Sequence, residues 1–118
     1  MRTWFVVILI GVCMIGSETR SASGAEGRAY FVGNQLHEYC QSTELWQKSE
    51  CRGYVAGVVD TLKYVGKNGK YEICISDLVS RGQLRDIAKK YLENHPEMRH
   101  YLGWVLVYNS MRDAFPCN

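Results

Sequence analysis

The sequence predicts an all-α fold, a small up-down four-helix bundle fastened by two disulfide bonds. Three observations lead to this prediction. Apolar side chains recur at three- and four-residue spacing in four segments after residue 33. Turn-forming residues separate these segments, and there are five cysteines among only 118 residues. With 47% hydrophobic residues, the chain can form the core of one domain but is too short for two.

The charge balance limits the classes of partner. There are 14 Lys and Arg residues against 12 Asp and Glu residues, so the formal net charge is +2. A strongly basic nucleic-acid binder needs a dense Lys/Arg face, and this composition excludes one. The apolar content also argues against a disordered chain.

Residues 1–25 are predicted to be a secretory signal peptide. A basic start is followed by an apolar run over residues 4–15, which is short for a permanent membrane span of about 20 residues. Small side chains at Ser23 and Ala25 then form a cleavage site. The alternatives are an uncleaved N-terminal anchor and a lipoprotein modified at Cys13, which is weaker because Cys13 lies inside the apolar run. Cleavage leaves an exported domain of residues 26–118 with no further membrane segment.

Capping residues delimit the first two predicted helices. Asn34 is expected to cap the first helix, which would end near Leu45 or Trp46, and Ser49 is expected to cap the second. The apolar face of the first helix comprises Leu36, Tyr39 and Cys40, and that of the second comprises Cys51, Tyr54, Val55, Val58, Leu62 and Val65.

Gly53 and Gly57 lie four residues apart in the second helix and predict the close approach of another helix. Asp60, in the same helix, would need hydrogen-bonding partners if it faced inward. An exposed position for Asp60 is equally compatible with the spacing.

Turn signals separate the remaining helices. The segment 66–70, Gly-Lys-Asn-Gly-Lys, ends the second helix in a positively charged loop. Ser80 and Gln83 form a capping box for the third helix. Pro96 ends that helix and suits the first turn of a fourth, predicted from Glu97 to Asp113. The apolar positions are Leu84, Ile87, Ala88, Tyr91 and Leu92 in the third helix, and Tyr101, Leu102, Val105 and Leu106 in the fourth.

Four cysteines remain after signal cleavage, and an even number in a small exported domain indicates two disulfides. In an up-down bundle, Cys40 near the end of helix one and Cys51 near the start of helix two lie at the same end. Cys74 before helix three and Cys117 after helix four lie at the other end. The topology therefore selects the pairs Cys40–Cys51 and Cys74–Cys117.

The sequence offers few groups for catalysis. Oxidised cysteines leave no thiol nucleophile, and the three histidines are too scattered for a zinc site. There is no glycine-rich phosphate loop and no Gly-x-Ser-x-Gly motif. We therefore expect no enzymatic activity, no cofactor and no metal.

A binding role fits the composition better, because eight tyrosines and three tryptophans can supply rigid contact area. Three surfaces could meet a partner: the 66–70 turn, the 94–100 corner and the 46–49 connection. The candidate contact residues are Trp46, Lys67, Lys70, Tyr71, His95 and His100, with Tyr101 or Trp104 as further exposed aromatics.

Several short motifs occur in a fixed order. They are F-V-G-N-x-L at residues 31–36, C-R-G-Y-V-A-G-V-V-D at 51–60, H-P-E at 95–97 and A-F-P-C at 114–117. As a set they resemble the Rap/Tai group of immunity proteins over about residues 31–117, with Ser76 standing where the family has proline. The resemblance implies a small helical periplasmic protein, often a homodimer, without catalytic activity. It also implies binding to a peptidoglycan amidase delivered by type VI secretion and obstruction of its substrate groove.

Two other functions remain open on the sequence. One is a periplasmic structural or chaperone-like helical protein without a toxin partner. The other is a thiol-active or hydrolytic enzyme, which would require a free cysteine or another nucleophile.

Overall fold

The computed structural model describes residues 29–118, which form four α-helices and no strand. The helices are α1 (Gly33–Gln41), α2 (Leu45–Val65), α3 (Arg81–Asn94) and α4 (Gly103–Ala114), with 3₁₀ turns at Gly66–Asn68 and Pro96–Met98. The predicted all-α fold is confirmed. The predicted signal peptide lies outside the described residues. Within residues 29–118, no helix combines the length and apolar character needed to cross a bilayer.

The core lies between the inner faces of the helices, with α2 in contact with each of the other three. Phe31, just before α1, is also buried among them. The buried apolar residues are Phe31, Leu36, Cys40, Cys51, Val55, Val59, Leu62, Leu84, Ala88, Leu92, Leu106, Val107 and Met111. The buried positions of α1 to α3 repeat at helical spacing, as the apolar pattern predicts.

The predicted apolar faces are wrong at some helix ends. Val65, in the last turn of α2, is exposed. Tyr101 and Leu102 are also exposed, because they precede α4 instead of lying on its inner face. Asp60, whose orientation the sequence left open, is exposed as well.

The start of α1 is set by tertiary hydrogen bonds. The helix begins at Gly33, and Asn34 is not its cap; the N-cap residue, Val32, has no side-chain hydrogen bond to offer. Instead, the N–H groups of Gly33 and Asn34 donate to the carbonyl oxygens of Tyr101 and Arg99, each at 2.8 Å. These bonds satisfy donors that a capping side chain would otherwise serve.

The connection between α1 and α2 is shorter and lies earlier than predicted. Helix α1 ends at Gln41, and α2 begins at Leu45 with Glu44 as its N-cap, so Ser49 lies inside the helix. The side-chain oxygen of Ser42 accepts a hydrogen bond from the Glu44 N–H at 3.0 Å. This local bond shapes the turn before α2, so the helix begins earlier than a cap at Ser49 would place it.

The predicted start of α4 at Glu97 is also wrong, whereas that of α3 is confirmed. Residues 96–98 form only a 3₁₀ turn, and α4 begins at Gly103, whose N–H donates to the Phe31 carbonyl oxygen at 2.7 Å. At α3, the Ser80 hydroxyl accepts from the Gln83 N–H, and the Gln83 side chain accepts from the Ser80 N–H at 2.8 Å. The expected capping box is therefore present.

Both predicted disulfides are present. Cys40–Cys51 joins α1 to α2 and is buried, whereas Cys74–Cys117 joins the segment before α3 to the chain after α4 and is exposed. The paired Cα atoms are 5.2 Å apart in each case, which is within the normal range. One covalent bond therefore closes the α1–α2 connection, and the other ties the chain after α4 to the segment before α3.

Candidate partner-binding surface

The structure brings three of the six predicted contact residues together. Lys67, Lys70 and Tyr71 lie in or directly after the turn that follows α2. Trp46 lies at the opposite end of α2, and the two predicted histidines lie between α3 and α4. The six residues therefore belong to three separate surfaces.

Tyr71 is the centre of an aromatic cluster. Its ring meets Trp104 and Tyr108 edge to face, with centroid distances of 5.9 Å and 5.6 Å. The Lys70 Nζ atom lies 5.4 Å from the centroid of the Tyr71 ring, and the Arg112 guanidinium carbon lies 5.5 Å from that of Tyr108. Because a ring face attracts cations, these two charges are held beside the cluster.

An apolar groove of about 320 Å³ adjoins this cluster, between α2 and α4. Trp104 belongs to both, so the groove and the cluster form one surface. We call this surface the aromatic groove and define it as Tyr54, Gly57, Val58, Thr61, Leu62 and Trp104, together with Tyr71 and Tyr108.

The polar atoms in the groove wall are already engaged. The Thr61 hydroxyl donates to the Gly57 carbonyl oxygen at 2.9 Å. Burial raises the pKa of Tyr54, although a backbone hydrogen bond at Trp104 opposes the shift. The Tyr54 hydroxyl therefore stays neutral at physiological pH, and the wall presents little charge to a bound group.

Gly53 and Gly57 lie on an open face of α2, so the predicted close approach of another helix is wrong. Apart from the adjoining backbone of α2 itself, a Cβ atom built at either glycine would meet no heavy atom within 4 Å. Gly57 instead lines the aromatic groove, where the absence of a side chain leaves space.

His95, His100 and Arg99 at the 94–100 corner make local contacts. The His95 ring stacks on Tyr91 with centroids 4.1 Å apart, and its Nδ1 lies 2.8 Å from the Tyr91 carbonyl oxygen. His100 lies against Tyr101, with ring centroids 4.2 Å apart. Arg99 donates from Nε to the Leu92 carbonyl oxygen at 2.7 Å. His95 Nδ1 and Arg99 Nε are therefore already engaged within the chain.

Trp46 belongs to a third, smaller apolar surface at the start of α2. Its side chain is exposed and meets the Tyr39 ring edge to face, with centroids 5.5 Å apart. The neighbouring Leu45 is also exposed. At 1.5 Å per residue, the length of α2 separates this surface from the 66–70 turn by roughly 30 Å.

One group of side chains has the spacing of a metal site. Glu72, Cys74 and Cys117 bring their ligand atoms close together at the surface. Both sulfur atoms belong to a disulfide, however, and so cannot act as thiolate ligands. Among residues 29–118, no other group has comparable spacing.

Comparison with known proteins identifies the family. The model of a family described as Rap1a immunity proteins matches residues 32–117, which include all four helices and both disulfides. The chain belongs to the Rap1a immunity protein family. No curated protein and no solved structure gives a significant match. The resemblance to Rap/Tai proteins is therefore confirmed, and Rap1a membership indicates an immunity protein directed against a secreted effector.

Proposed function

We propose that this chain is a periplasmic immunity protein that binds a type VI secreted peptidoglycan amidase and blocks it sterically. The match to the Rap1a family over residues 32–117 is the observation that carries the proposal. The ordered motifs shared with Rap/Tai proteins support an amidase as the target. The two disulfides support an oxidising compartment such as the periplasm.

Steric inhibition fits the construction of the bundle. Disulfides hold the α1–α2 connection and tie the chain after α4 to the segment before α3. Because these segments are already constrained, binding would order little additional structure and lose little conformational entropy. The bundle, alone or as a homodimer, would cover the substrate cleft and exclude peptidoglycan without itself reacting. This mechanism requires no catalytic residue, cofactor or metal in the inhibitor.

Protection of living cells tests this function. A candidate secreted peptidoglycan amidase, chosen from neighbouring reading frames that encode one, is directed to the periplasm of a host bacterium, with and without the full chain. We expect the amidase alone to cause lysis and the chain to restore growth. The matched control lacks residues 1–25 and should stay in the cytoplasm without protecting.

Two results would contradict the proposal. One is equal lysis with and without the exported chain although both proteins accumulate in the periplasm. The other is protection by the form that lacks residues 1–25, which would place the interaction in the cytoplasm. Envelope defects on deletion of the gene, without any protection, would favour the structural or chaperone-like alternative.

A further inference from the structure

We infer that the effector binds at the aromatic groove. One of its loops would place an apolar side chain in the groove and carboxylates opposite the 66–70 turn. This inference rests on the proposed function and names the binding surface for it. Three properties of the groove support it: its shape, its open glycine and the charge at its end.

The shape and lining of the groove suit an apolar side chain from a protein partner. Its volume of about 320 Å³ is at the lower end of the range of roughly 300–1,000 Å³ found for ligand pockets. Trp104 and Tyr54 are residue types that often dominate binding energy at interfaces. The Thr61 hydroxyl already donates a hydrogen bond within α2, so an apolar group that fills the groove does not leave this hydroxyl without a partner.

Gly57 in the groove wall is not explained by packing within the chain. Glycine is the poorest helix former after proline, and a larger side chain at this position would meet no heavy atom within 4 Å of its Cβ. The missing side chain does, however, allow another molecule to approach the α2 backbone closely. An effector loop seated in the groove would make this approach.

The positive charge of the 66–70 turn favours negatively charged groups on the partner. Lys67 and Lys70 are exposed, and neither forms an ion pair with any residue in the range 29–118. The nearby Lys63 is instead paired with Asp77 at 2.8 Å. Lys70 lies beside the aromatic groove, with its Nζ atom 5.4 Å from the centroid of the Tyr71 ring, whereas Lys67 borders a separate depression that also contains Asp60 and Asp77. The Lys70 ammonium group, in a turn that carries a second unpaired lysine, complements a loop that carries carboxylates next to its apolar side chain. Such charges also speed association at low salt.

The other two surfaces fit an effector less well. At the 94–100 corner, Arg99 and His95 are already bonded to main-chain carbonyl oxygens. At the start of α2, Trp46 and Leu45 are exposed, and the depression that Leu45 lines is otherwise formed by the polar residues Lys48, Ser49, Arg52 and Arg85. The aromatic groove combines an apolar depression with a nearby unpaired positive charge, so we assign effector binding to this surface.

Filling the groove tests the inference directly. Gly57→Leu places an apolar side chain into the groove where the fold has space for it. We expect its affinity for the amidase that the wild-type chain neutralises to fall by more than about tenfold, as for an interface hot spot. Gly53→Leu is the matched control, since it adds the same side chain to the same helix outside the groove lining, and it should bind as the wild type does. Isothermal titration calorimetry measures both, and circular dichroism checks that both variants are folded.

Charge reversal provides a second arm that does not depend on filling the groove. Lys67→Glu with Lys70→Glu should slow association and remove most of its salt dependence, whereas Lys90→Glu with Lys48→Glu, which makes the same change in net charge elsewhere, should not. Stopped-flow measurements at several salt concentrations give these rates.

The outcomes separate this inference from the proposed function. If the wild-type chain does not bind the amidase, the proposed function is wrong. If the wild-type chain binds and Gly57→Leu binds equally well, or Gly53→Leu loses as much affinity, only the groove assignment is wrong. If Gly57→Leu abolishes self-association and leaves amidase affinity unchanged, a second copy of the chain occupies the groove and the inference is overturned.

Discussion

Glycine-to-alanine substitutions should change stability in opposite directions at the open face of α2 and at the start of α4. At Gly57, a new Cβ would meet no heavy atom within 4 Å. At Gly103, it would lie 2.9 Å from the Phe31 carbonyl oxygen, which is closer than real Cβ contacts come. That oxygen also accepts the Gly103 N–H at 2.7 Å, so it cannot move away without weakening the hydrogen bond.

The expected magnitudes follow from these contacts. In an exposed helix interior, alanine is more favourable than glycine by about 0.8–1.0 kcal/mol, so Gly57→Ala should raise the free energy of unfolding by about 1 kcal/mol. For a domain of this size, that gain raises Tm by roughly 4–8 °C. Gly103→Ala should lower the free energy of unfolding by about 1–3 kcal/mol, because it overpacks a contact with main-chain atoms.

Urea denaturation followed by circular dichroism measures both changes. Gly53→Ala serves as a second test of the open face and should behave as Gly57→Ala does, since its Cβ also meets no atom within 4 Å. A loss of stability in Gly57→Ala would mean that the free protein already covers this face of α2, contrary to the open space around Gly57. A gain in Gly103→Ala would show that α4 does not begin against Phe31.

Three further predictions concern a disulfide, a histidine and a helix cap. Replacing Cys74 and Cys117 with serine should lower the free energy of unfolding by about 4 kcal/mol, from the chain entropy of a 43-residue separation. In thermal denaturation, a loss below about 1 kcal/mol would contradict this role. Burial, followed by the charge of Arg99, lowers the pKa of His37 from its ordinary value of 6.5. The unfolded chain therefore binds the proton more readily, and stability present above pH 6.5 is lost progressively as the pH falls below it. His37→Gln should flatten that part of the stability profile, and an unchanged profile would assign the effect to another group. Ser80→Ala should cost about 1 kcal/mol in urea denaturation by removing half of the capping box, and an unchanged midpoint would show that the cap contributes nothing.

The parts of the fold that depend on local sequence were predictable. The apolar spacing located the buried positions of α3, and the start of that helix followed from Ser80 and Gln83, which bond within one turn. The cysteine pairing followed from the order of the helices. The starts of α1 and α4 could not be found in this way, because Gly33 and Gly103 donate to carbonyl oxygens far away in the sequence.

The aromatic groove was only partly predictable, for the same reason. Tyr71 and Trp104 stood out as candidate exposed aromatics, but helical spacing alone placed Tyr54 and Val58 on the core face. Whether the glycines of α2 face a helix or an open groove depends on where α4 crosses α2, and no local pattern encodes that crossing. Two glycines four residues apart in α2 were the available signal, and the interpretation given to them, close helix packing, proved wrong.

Titration of purified amidase with residues 26–118, the form predicted to remain after signal cleavage, is the decisive test of whether this chain is an inhibitor. Release of peptide from purified peptidoglycan is measured while the concentration of the domain is raised through that of the enzyme. We expect hydrolysis to fall to background at a fixed molar ratio, because tight steric blockage consumes one inhibitor for each enzyme it covers. Full hydrolysis at a large molar excess of folded, disulfide-bonded domain would contradict it.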